Sequence, residues 1–317
     1  MPRPRRIAAT AIIGSGATLS GFYGFLIGEA MLARRVIGTT DARPPSPDGI
    51  YGEDLPGRTV RLLVLGDSAA VGYGVTRSDA TPSGMLAIGL AHVLGAQVDV
   101  KCRAVVGAQT SDLMAQIDSI DELDDWEPHV AVIIVGANDV THQVPPRTSA
   151  RLLAEATRRL VAADCEVVVG TTPDLGTVKP IPQPLRAVAR AWSRHLARRQ
   201  TVALVEAGGR AVSLGGLLGK VFDEKRDIMF GADRFHPSEA GYASMVSVLV
   251  PAVVASLREK QRTAAYAGYV SGEAPRDLMT VHEAAAEAAQ HEGTQVVQDE
   301  QHGGGRWATV LRRRRAG

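Results

Sequence analysis

The stretch VRLLVLGDS, residues 60–68, decides the fold predicted for this chain. Five of its first six residues are Val or Leu, and Gly66 closes the apolar run. A continuous run of this kind is typical of a strand buried on both faces of a parallel sheet. Ser68 then lies where the strand ends, at the edge where open α/β sheets bind ligands. By itself, a Gly-Asp-Ser turn fits a plain strand-to-helix turn as well as a functional site.

Strands and helices alternate along the rest of the chain. Further apolar runs predict strands at 97–102, 130–135, 166–169 and 202–205. Capping residues and apolar periodicity predict helices at 81–95, 111–120, 149–163, 185–199 and 238–258. This order predicts an α/β fold, a three-layer α/β/α sandwich around a central, mainly parallel five-stranded sheet.

The charge and cysteine content limit the kinds of partner. Lys and Arg total 35 against 34 Asp and Glu among 317 residues, so nucleic acid is not expected as a partner. Cys102 and Cys165 fall in predicted strands that are not neighbours, which favours two free thiols over a disulfide. No metal-ligand spacing occurs in the sequence, and we expect neither a metal nor another cofactor.

The N-terminus carries a targeting signal. Arg3, Arg5 and Arg6 precede residues 7–28, which contain no charged side chain. The pattern fits an uncleaved membrane anchor, a cleaved export signal or, as a third possibility, a buried helix. The basic flank places the N-terminus in the cytoplasm and the following domain outside. We therefore expect an exported protein, either anchored in the cell membrane or secreted.

Composition divides the chain into four parts. Residues 1–37 form the signal or anchor, and the Pro-rich residues 38–58 form a linker. The α/β domain occupies residues 59–260. Residues 261–317 are predicted to be a mostly disordered tail with an Arg-rich end.

Four motifs follow strands or precede the last helix, and all fall on one predicted edge of the sheet. In chain order they are Gly66-Asp67-Ser68, Val106-Gly107-Ala108-Gln109-Thr110, Gly136-Ala137-Asn138-Asp139 and Asp233-Arg234-Phe235-His236-Pro237. Each motif is weak alone, but the set in this order resembles the SGNH (GDSL) hydrolases, in particular exported actinobacterial esterases. The resemblance covers residues 60–258 and implies a flavodoxin-like sandwich with serine esterase activity.

The residue types suit nucleophilic catalysis. A serine hydroxyl needs a base within hydrogen-bond reach, and His236 is the candidate base for Ser68. Asp233 is the candidate group that orients the imidazole. The resemblance implies an oxyanion hole made by the backbone N–H groups of Ser68 and Gly107 and the side-chain amide of Asn138.

Substrate contacts are predicted on weaker grounds. His142 lies four residues after Asn138, and the loop from Pro173 to Pro184, including Asp174 and Leu175, is a candidate wall of the acyl pocket. No lid-like insertion separates the motifs, which favours short or medium acyl chains. The expected partner is a small-molecule, lipid or carbohydrate ester.

Three functions fit these residues. The first is a carboxylic ester hydrolase that passes through an acyl-enzyme on Ser68. The second uses the same residues as an acyltransferase or as a carbohydrate O-acyl or O-acetyl esterase of the cell envelope. The third is a non-catalytic envelope binding module. The Gly-x-Ser-x-Gly elbow of α/β-hydrolases is absent at Ser68, and no complete dinucleotide-binding motif is present.

Overall fold

The apolar run that precedes Asp67 and Ser68 forms a central strand of a sheet. The computed structural model describes residues 44–120, 123, 126–265, 278–288, 295–298 and 307–311. The predicted anchor at residues 7–28 lies outside the described residues. The strands are β1 Gly49–Tyr51, β2 Gly57–Gly66, β3 Ala96–Cys102, β4 Val130–Ile134, β5 Glu166–Gly170, β6 Arg210–Val212, β7 Leu278–Thr280, β8 Gln295–Gln298 and β9 Trp307–Leu311.

Short one- or two-turn helices lie near the sheet edge, and longer helices cover its faces. They are α1 Ser68–Val71, α2 Pro82–Leu94, α3 Leu113–Asp118, α4 Ala137–Thr141, α5 Pro146–Ala162, α6 Leu185–Glu206, α7 Gly215–Glu224, α8 Arg226–Met229, α9 Glu239–Ala265 and α10 Val281–Ala288. Thr81 caps α2 through its side chain, and Gly95 ends that helix in the left-handed conformation, as the sequence predicts.

The sheet has the strand order β1-β3-β2-β4-β5-β6-β8-β9-β7. Its five central strands, β3, β2, β4, β5 and β6, are parallel, which confirms the predicted parallel core. The chain runs from β2 to β3 on one side and then crosses to β4 on the other. Parallel sheets bind ligands at such a reversal of strand order, outside the carboxyl ends of the strands.

Alternate side chains of β2 pack on opposite faces of the sheet, because the side-chain period of a strand is two. Leu62 and Val64 face a layer made mainly by α2 and α9. Leu63 and Leu65 face a second layer made by α3, α5, α6 and α10. All four side chains are fully buried. Because both faces of β2 are apolar, a layer of helices covers each face of the sheet, which gives the three-layer sandwich.

The predicted fifth strand at residues 202–205 is wrong. These residues belong to the last turns of α6, and the strand lies further on at Arg210–Val212. Leu204 and Val205 are fully buried against the sheet from the helix. A short apolar run has the same pattern in a buried helix and in a buried strand, so periodicity does not separate the two.

The domain also extends beyond its predicted limits. Strand β1, inside the predicted linker, pairs antiparallel with β3, and β2 begins at Gly57. Helix α9 continues to Ala265, and β8 adds antiparallel to the edge strand β6. The expectation of disorder after residue 260 is therefore wrong for the described elements α10, β7, β8 and β9. Strands β7, β8 and β9 are only three to five residues long, and strands this short are stabilised mainly by pairing with a neighbouring strand.

Within the described residues, one helix is long and apolar enough to cross a membrane, the part of α9 at Glu239–Lys260. Tyr242, Leu249 and Val253 of this helix are fully buried against the sheet. Its apolar character is therefore used in the core of the domain.

Candidate active site

Ser68 is positioned by the sharp turn between β2 and α1. Gly66 has a φ of +133°, and a Cβ atom at this position would overlap the carbonyl oxygen of Ile134 in the neighbouring strand β4. Only glycine fits this approach. The side chain of Asp67 then caps α1 by accepting the N–H of Ala69 at 2.9 Å. The turn places Ser68 at the carboxyl edge of the sheet with 8% of its surface exposed.

The structure brings Ser68, His236 and Asp233 into one hydrogen-bonded chain. The Oγ atom of Ser68 lies 2.9 Å from Nε2 of His236, and Nδ1 of His236 lies 2.6 Å from Oδ2 of Asp233. A neutral imidazole protonated on Nδ1 satisfies both contacts, because Nδ1 then donates to the carboxylate while Nε2 accepts from the hydroxyl. The predicted nucleophile, base and orienting carboxylate thus have the mutual geometry that their roles require.

Asp233 is held as a carboxylate by its own loop. Its Oδ1 atom accepts the backbone N–H groups of Phe235 and His236, both at 3.0 Å. Burial alone raises the pKa of Asp233, but the hydrogen bonds from His236 and from these N–H groups outweigh burial and lower the pKa below its usual value. The carboxylate is therefore ionised and available to the imidazole at neutral pH.

Two aromatic rings flank the imidazole. The ring centroid of Tyr73 lies 4.5 Å from that of His236 at an interplanar angle of 50°. Phe235 approaches edge-on, with a centroid distance of 4.9 Å. No local pattern predicts this role for Tyr73, because its position five residues after Ser68 gives no sign of a contact with a histidine so distant in the chain.

The three groups assigned to the oxyanion hole lie on neighbouring loops. Gly107 has a φ of +85°, a conformation that favours glycine, and its loop follows β3. The side-chain amide of Asn138 donates to the carbonyl oxygen of Ala108 at 2.9 Å, which fixes the amide beside the Gly107 loop. Within the described part of the chain, the N–H groups of Ser68 and Gly107 donate to no protein acceptor.

Two buried side chains tie these loops together. Gln116 of α3 accepts the N–H of Gly66 and donates to its carbonyl oxygen, both at 2.8 Å. Asp139, fully buried, accepts the N–H of Thr110 at 3.1 Å. The role of Gln116 could not be predicted, because its partner is 50 residues away and the local sequence is that of an ordinary helix.

Asp67 is a buried carboxyl group directly beside Ser68. Burial raises its pKa from 3.8 to about 6, with a smaller upward contribution from Asp139, against the lowering effect of its backbone hydrogen bonds and of His236. Its side chain caps α1, which is a structural role.

The four predicted substrate contacts fare differently. His142 is exposed, and its Nδ1 lies 2.9 Å from the backbone oxygen of Asn138. Pro173 is half-buried. Asp174 and Leu175 are each only 4% exposed, and Asp174 binds the guanidinium of Arg194 at 2.9 Å. Both side chains pack in the domain interior, and direct substrate contact by Asp174 and Leu175 stays a prediction.

A groove of about 590 Å³ lies beside the Gly107 loop. Its walls are the segment 102–108, which follows β3, and one face of α3 with Asp112, Ala115, Gln116 and Ser119. Val105 and Val106, on the loop wall, are about half exposed. None of Pro173, Asp174 and Leu175 lines this groove.

Comparison with known protein families identifies the class of the protein. Residues 64–244 match the model of the GDSL-like lipase/acylhydrolase family. This match spans more than half of the chain and includes all four motifs, so the chain belongs to that family. The family predicted from the motifs is confirmed.

One known protein sequence and two solved structures resemble the chain. It is 39% identical over 273 residues to the GDSL-like esterase Rv1075c of Mycobacterium tuberculosis, an alignment that covers 82% of this chain and 86% of the relative. LAE5, an alpha/beta hydrolase enzyme from the metagenome of Lake Arreo, is 17% identical with a TM-score of 0.49, covering 62% of this chain and 94% of LAE5. A catalytic mutant of Axe2, an acetylxylan esterase from Geobacillus stearothermophilus, is 18% identical with a TM-score of 0.47, covering 62% and 94% respectively.

Proposed function

We propose that the chain is a serine carboxylic ester hydrolase that cleaves short-to-medium acyl esters through an acyl-enzyme on Ser68. The observation that carries the proposal is the continuous hydrogen-bonded chain from Ser68 Oγ through His236 to Asp233, with distances of 2.9 and 2.6 Å. Membership of the GDSL-like lipase/acylhydrolase family supports an esterase independently of this geometry.

In the first half of the reaction, Ser68 Oγ attacks the ester carbonyl carbon while Nε2 of His236 takes the hydroxyl proton. The Asp233 carboxylate stabilises the imidazolium that forms. The carbonyl oxygen becomes negatively charged and accepts hydrogen bonds from the N–H groups of Ser68 and Gly107 and from the Asn138 amide. Collapse of the tetrahedral intermediate breaks the bond to the alcohol oxygen, which takes the proton from His236 and leaves.

In the second half, water replaces the alcohol. His236 removes a proton from the water, whose oxygen attacks the acyl carbon, and the tetrahedral intermediate then releases Ser68 as its hydroxyl. The carboxylic acid leaves, and the enzyme returns to its starting state.

The groove beside Gly107 supports a site for the acyl chain. The leaving alcohol oxygen faces His236 Nε2, from which it takes its proton, whereas the groove walls contain none of residues 230–237. An acyl chain that runs from the oxyanion position along Val105 and Val106 covers apolar surface that is otherwise exposed to water.

The test is the hydrolysis of p-nitrophenyl acetate, butyrate, octanoate and palmitate by the purified domain. We expect turnover of the shorter esters, and loss of nearly all turnover in the Ser68→Ala variant. Ser256→Ala serves as the matched control, because Ser256 is a buried serine bonded to Glu166, away from the candidate site. A wild-type domain without turnover, or a Ser68→Ala variant with full turnover, would overturn the proposal.

Further substrates, compared with the p-nitrophenyl esters, distinguish the other functions. An acyltransferase would form an ester with an added sugar or lipid alcohol in preference to free acid, although the same three residues act. A carbohydrate O-acetyl esterase would release acetate from an acetylated oligosaccharide faster than from the aryl ester. A non-catalytic envelope binding module would turn over none of these substrates.

We further propose that residues 7–28 export the domain or anchor it to the cell membrane, with the candidate site outside the cytoplasm. The basis is the uncharged segment behind three arginines. Cell fractionation of the full chain, followed by mass spectrometry of its N-terminus, distinguishes an anchor from a cleaved signal. Recovery of the intact chain in the cytosol would contradict both.

A further inference from the structure

A buried tyrosine from the last long helix reaches the back of the candidate site. Tyr242 of α9 is fully buried, and its hydroxyl donates to the backbone carbonyl oxygen of Tyr73 at 3.0 Å. Burial raises the pKa of Tyr242 well above its usual value, and the nearby charges of Asp67 and Asp233 raise it further. The phenol is therefore a neutral donor, placed close enough to the site to respond to two of its carboxyl groups.

Tyr73 in turn contacts both halves of the catalytic chain. Its backbone N–H donates to the carbonyl oxygen of Ser68 at 3.0 Å, which closes the turn of α1. Its ring packs against the imidazole of His236, which is distant from the nucleophile turn in sequence but adjacent to it in space. Because Tyr73 is bonded to the Ser68 turn and touches His236, a shift of its backbone changes the separation of these two groups.

We infer that Tyr242 and Tyr73 are positioning residues for the reaction, and that the hydroxyl of Tyr242 acts through the ring of Tyr73 on the imidazole of His236. The hydrogen bond holds the Tyr73 backbone in place, and the Tyr73 ring with Phe235 limits rotation of the imidazole. Nε2 thereby stays directed at Ser68 Oγ. The kinetic test of this inference rests on the proposed esterase function, whereas its structural test does not depend on that function.

The topology explains why such a brace is useful. Ser68 and His236 are 168 residues apart in the chain and lie on two different loops. Helix α9 begins directly after the loop that carries His236, so Tyr242 connects that loop to the turn of the nucleophile. A misplacement of about 1 Å between reacting groups typically costs about 100-fold in rate, so a contact that joins the two loops affects turnover without touching substrate.

The kinetic test compares two tyrosine hydroxyls that make the same kind of bond. Tyr242→Phe removes only the hydroxyl at the site. Tyr51→Phe is the matched control, because the Tyr51 hydroxyl also donates to a backbone carbonyl at 3.0 Å, that of Pro47, on β1 and outside the site. We expect Tyr242→Phe to lower kcat for p-nitrophenyl acetate about tenfold with KM unchanged, and Tyr51→Phe to leave both constants unchanged.

A double-variant cycle tests whether Tyr242 acts through the Tyr73 ring. Tyr73→Leu removes the ring and keeps an apolar side chain. We expect the Tyr73→Leu/Tyr242→Phe double variant to lose much less kcat than the product of the two single losses, because the hydroxyl acts on His236 through the ring, and without the ring only its hold on the backbone bonded to Ser68 remains. Multiplication of the two losses would overturn the coupling, and wild-type kcat in Tyr242→Phe would overturn the positioning role altogether.

The structural test needs no turnover. In protein with ¹⁵N-labelled histidine, the proton on Nδ1 of His236 reports the hydrogen bond to Asp233 directly. We expect its NMR resonance to shift in Tyr242→Phe and to stay in place in Tyr51→Phe, at a temperature where both variants are folded. An unchanged resonance in Tyr242→Phe would refute the brace. A wild-type protein that shows the resonance but hydrolyses no ester would refute only the proposed function.

Discussion

Replacing Asp67 by asparagine removes a buried ionisable group that directly precedes Ser68. The carboxyl group is 2% exposed, and its pKa of about 6 in the folded protein lies above the ordinary value of 3.8. The folded state therefore favours the protonated carboxyl group more than the unfolded chain does. This contribution to stability is present below pH 3.8 and is lost as the pH rises through 6.

The size of the effect follows from the two pKa values. At pH 7.5 the carboxyl group is ionised in both states, and the difference of about two pKa units corresponds to roughly 3 kcal/mol lost relative to low pH. At pH 4.5 the same relation gives a loss of only about 1 kcal/mol. Asparagine has no ionisation to lose, and its side-chain oxygen still caps α1.

The assay is urea unfolding of wild type and Asp67→Asn at pH 4.5 and pH 7.5. We expect the free energy of unfolding of the variant, measured relative to wild type, to increase by about 2 kcal/mol between the two pH values. Asp227→Asn is the matched control, since Asp227 is exposed and the substitution there removes no buried charge. A difference between variant and wild type that is the same at both pH values would refute the reasoning, and so would one that decreases with pH.

Two predictions concern turnover. Asn138→Ala removes one of three proposed oxyanion donors, and we expect kcat for p-nitrophenyl acetate to fall about 10²–10³-fold with little change in KM; a fall below threefold would exclude Asn138 from that role. Val106→Trp fills the groove beside Gly107, and we expect kcat/KM for the octanoate ester to fall about tenfold relative to the acetate ester. Val93→Trp is its control, because Val93 is equally exposed, at 46%, on α2. Equal losses for both esters, or the same selectivity change in the control, would place the acyl chain elsewhere.

Much of the fold could be predicted because its signals are local. The runs at residues 60–65 and 130–135 are apolar without interruption, which indicates strands covered on both faces, and Thr81 and Gly95 mark the ends of α2 in the sequence. The prediction failed at residues 202–205, where α6 continues. That segment is buried in either conformation, and only the packing of Leu204 and Val205 onto the sheet decides that it is helical.

The edges of the sheet could not be predicted for a related reason. Strands β1 and β8 pair with β3 and β6, and they are only three and four residues long. A strand that adds to an edge makes its backbone hydrogen bonds with the neighbouring strand. Its conformation therefore depends on tertiary context more than on its own sequence.

Local motifs predict the residue types of the candidate site and their order, because Gly66, Ser68, Asn138 and His236 each stand in a short motif at the end of a strand or before a helix. Their convergence followed from the rule that parallel strands share one carboxyl edge. Only the tertiary structure decided what supports them. Gln116 bonds to Gly66, and Tyr242 bonds to the carbonyl oxygen of Tyr73, over distances in the chain that no local pattern records. The same packing places Asp174 in the interior, where an ion pair with Arg194 holds its side chain. Local sequence specifies which groups stand at the sheet edge, whereas the contacts that hold and orient those groups form only when distant segments pack together.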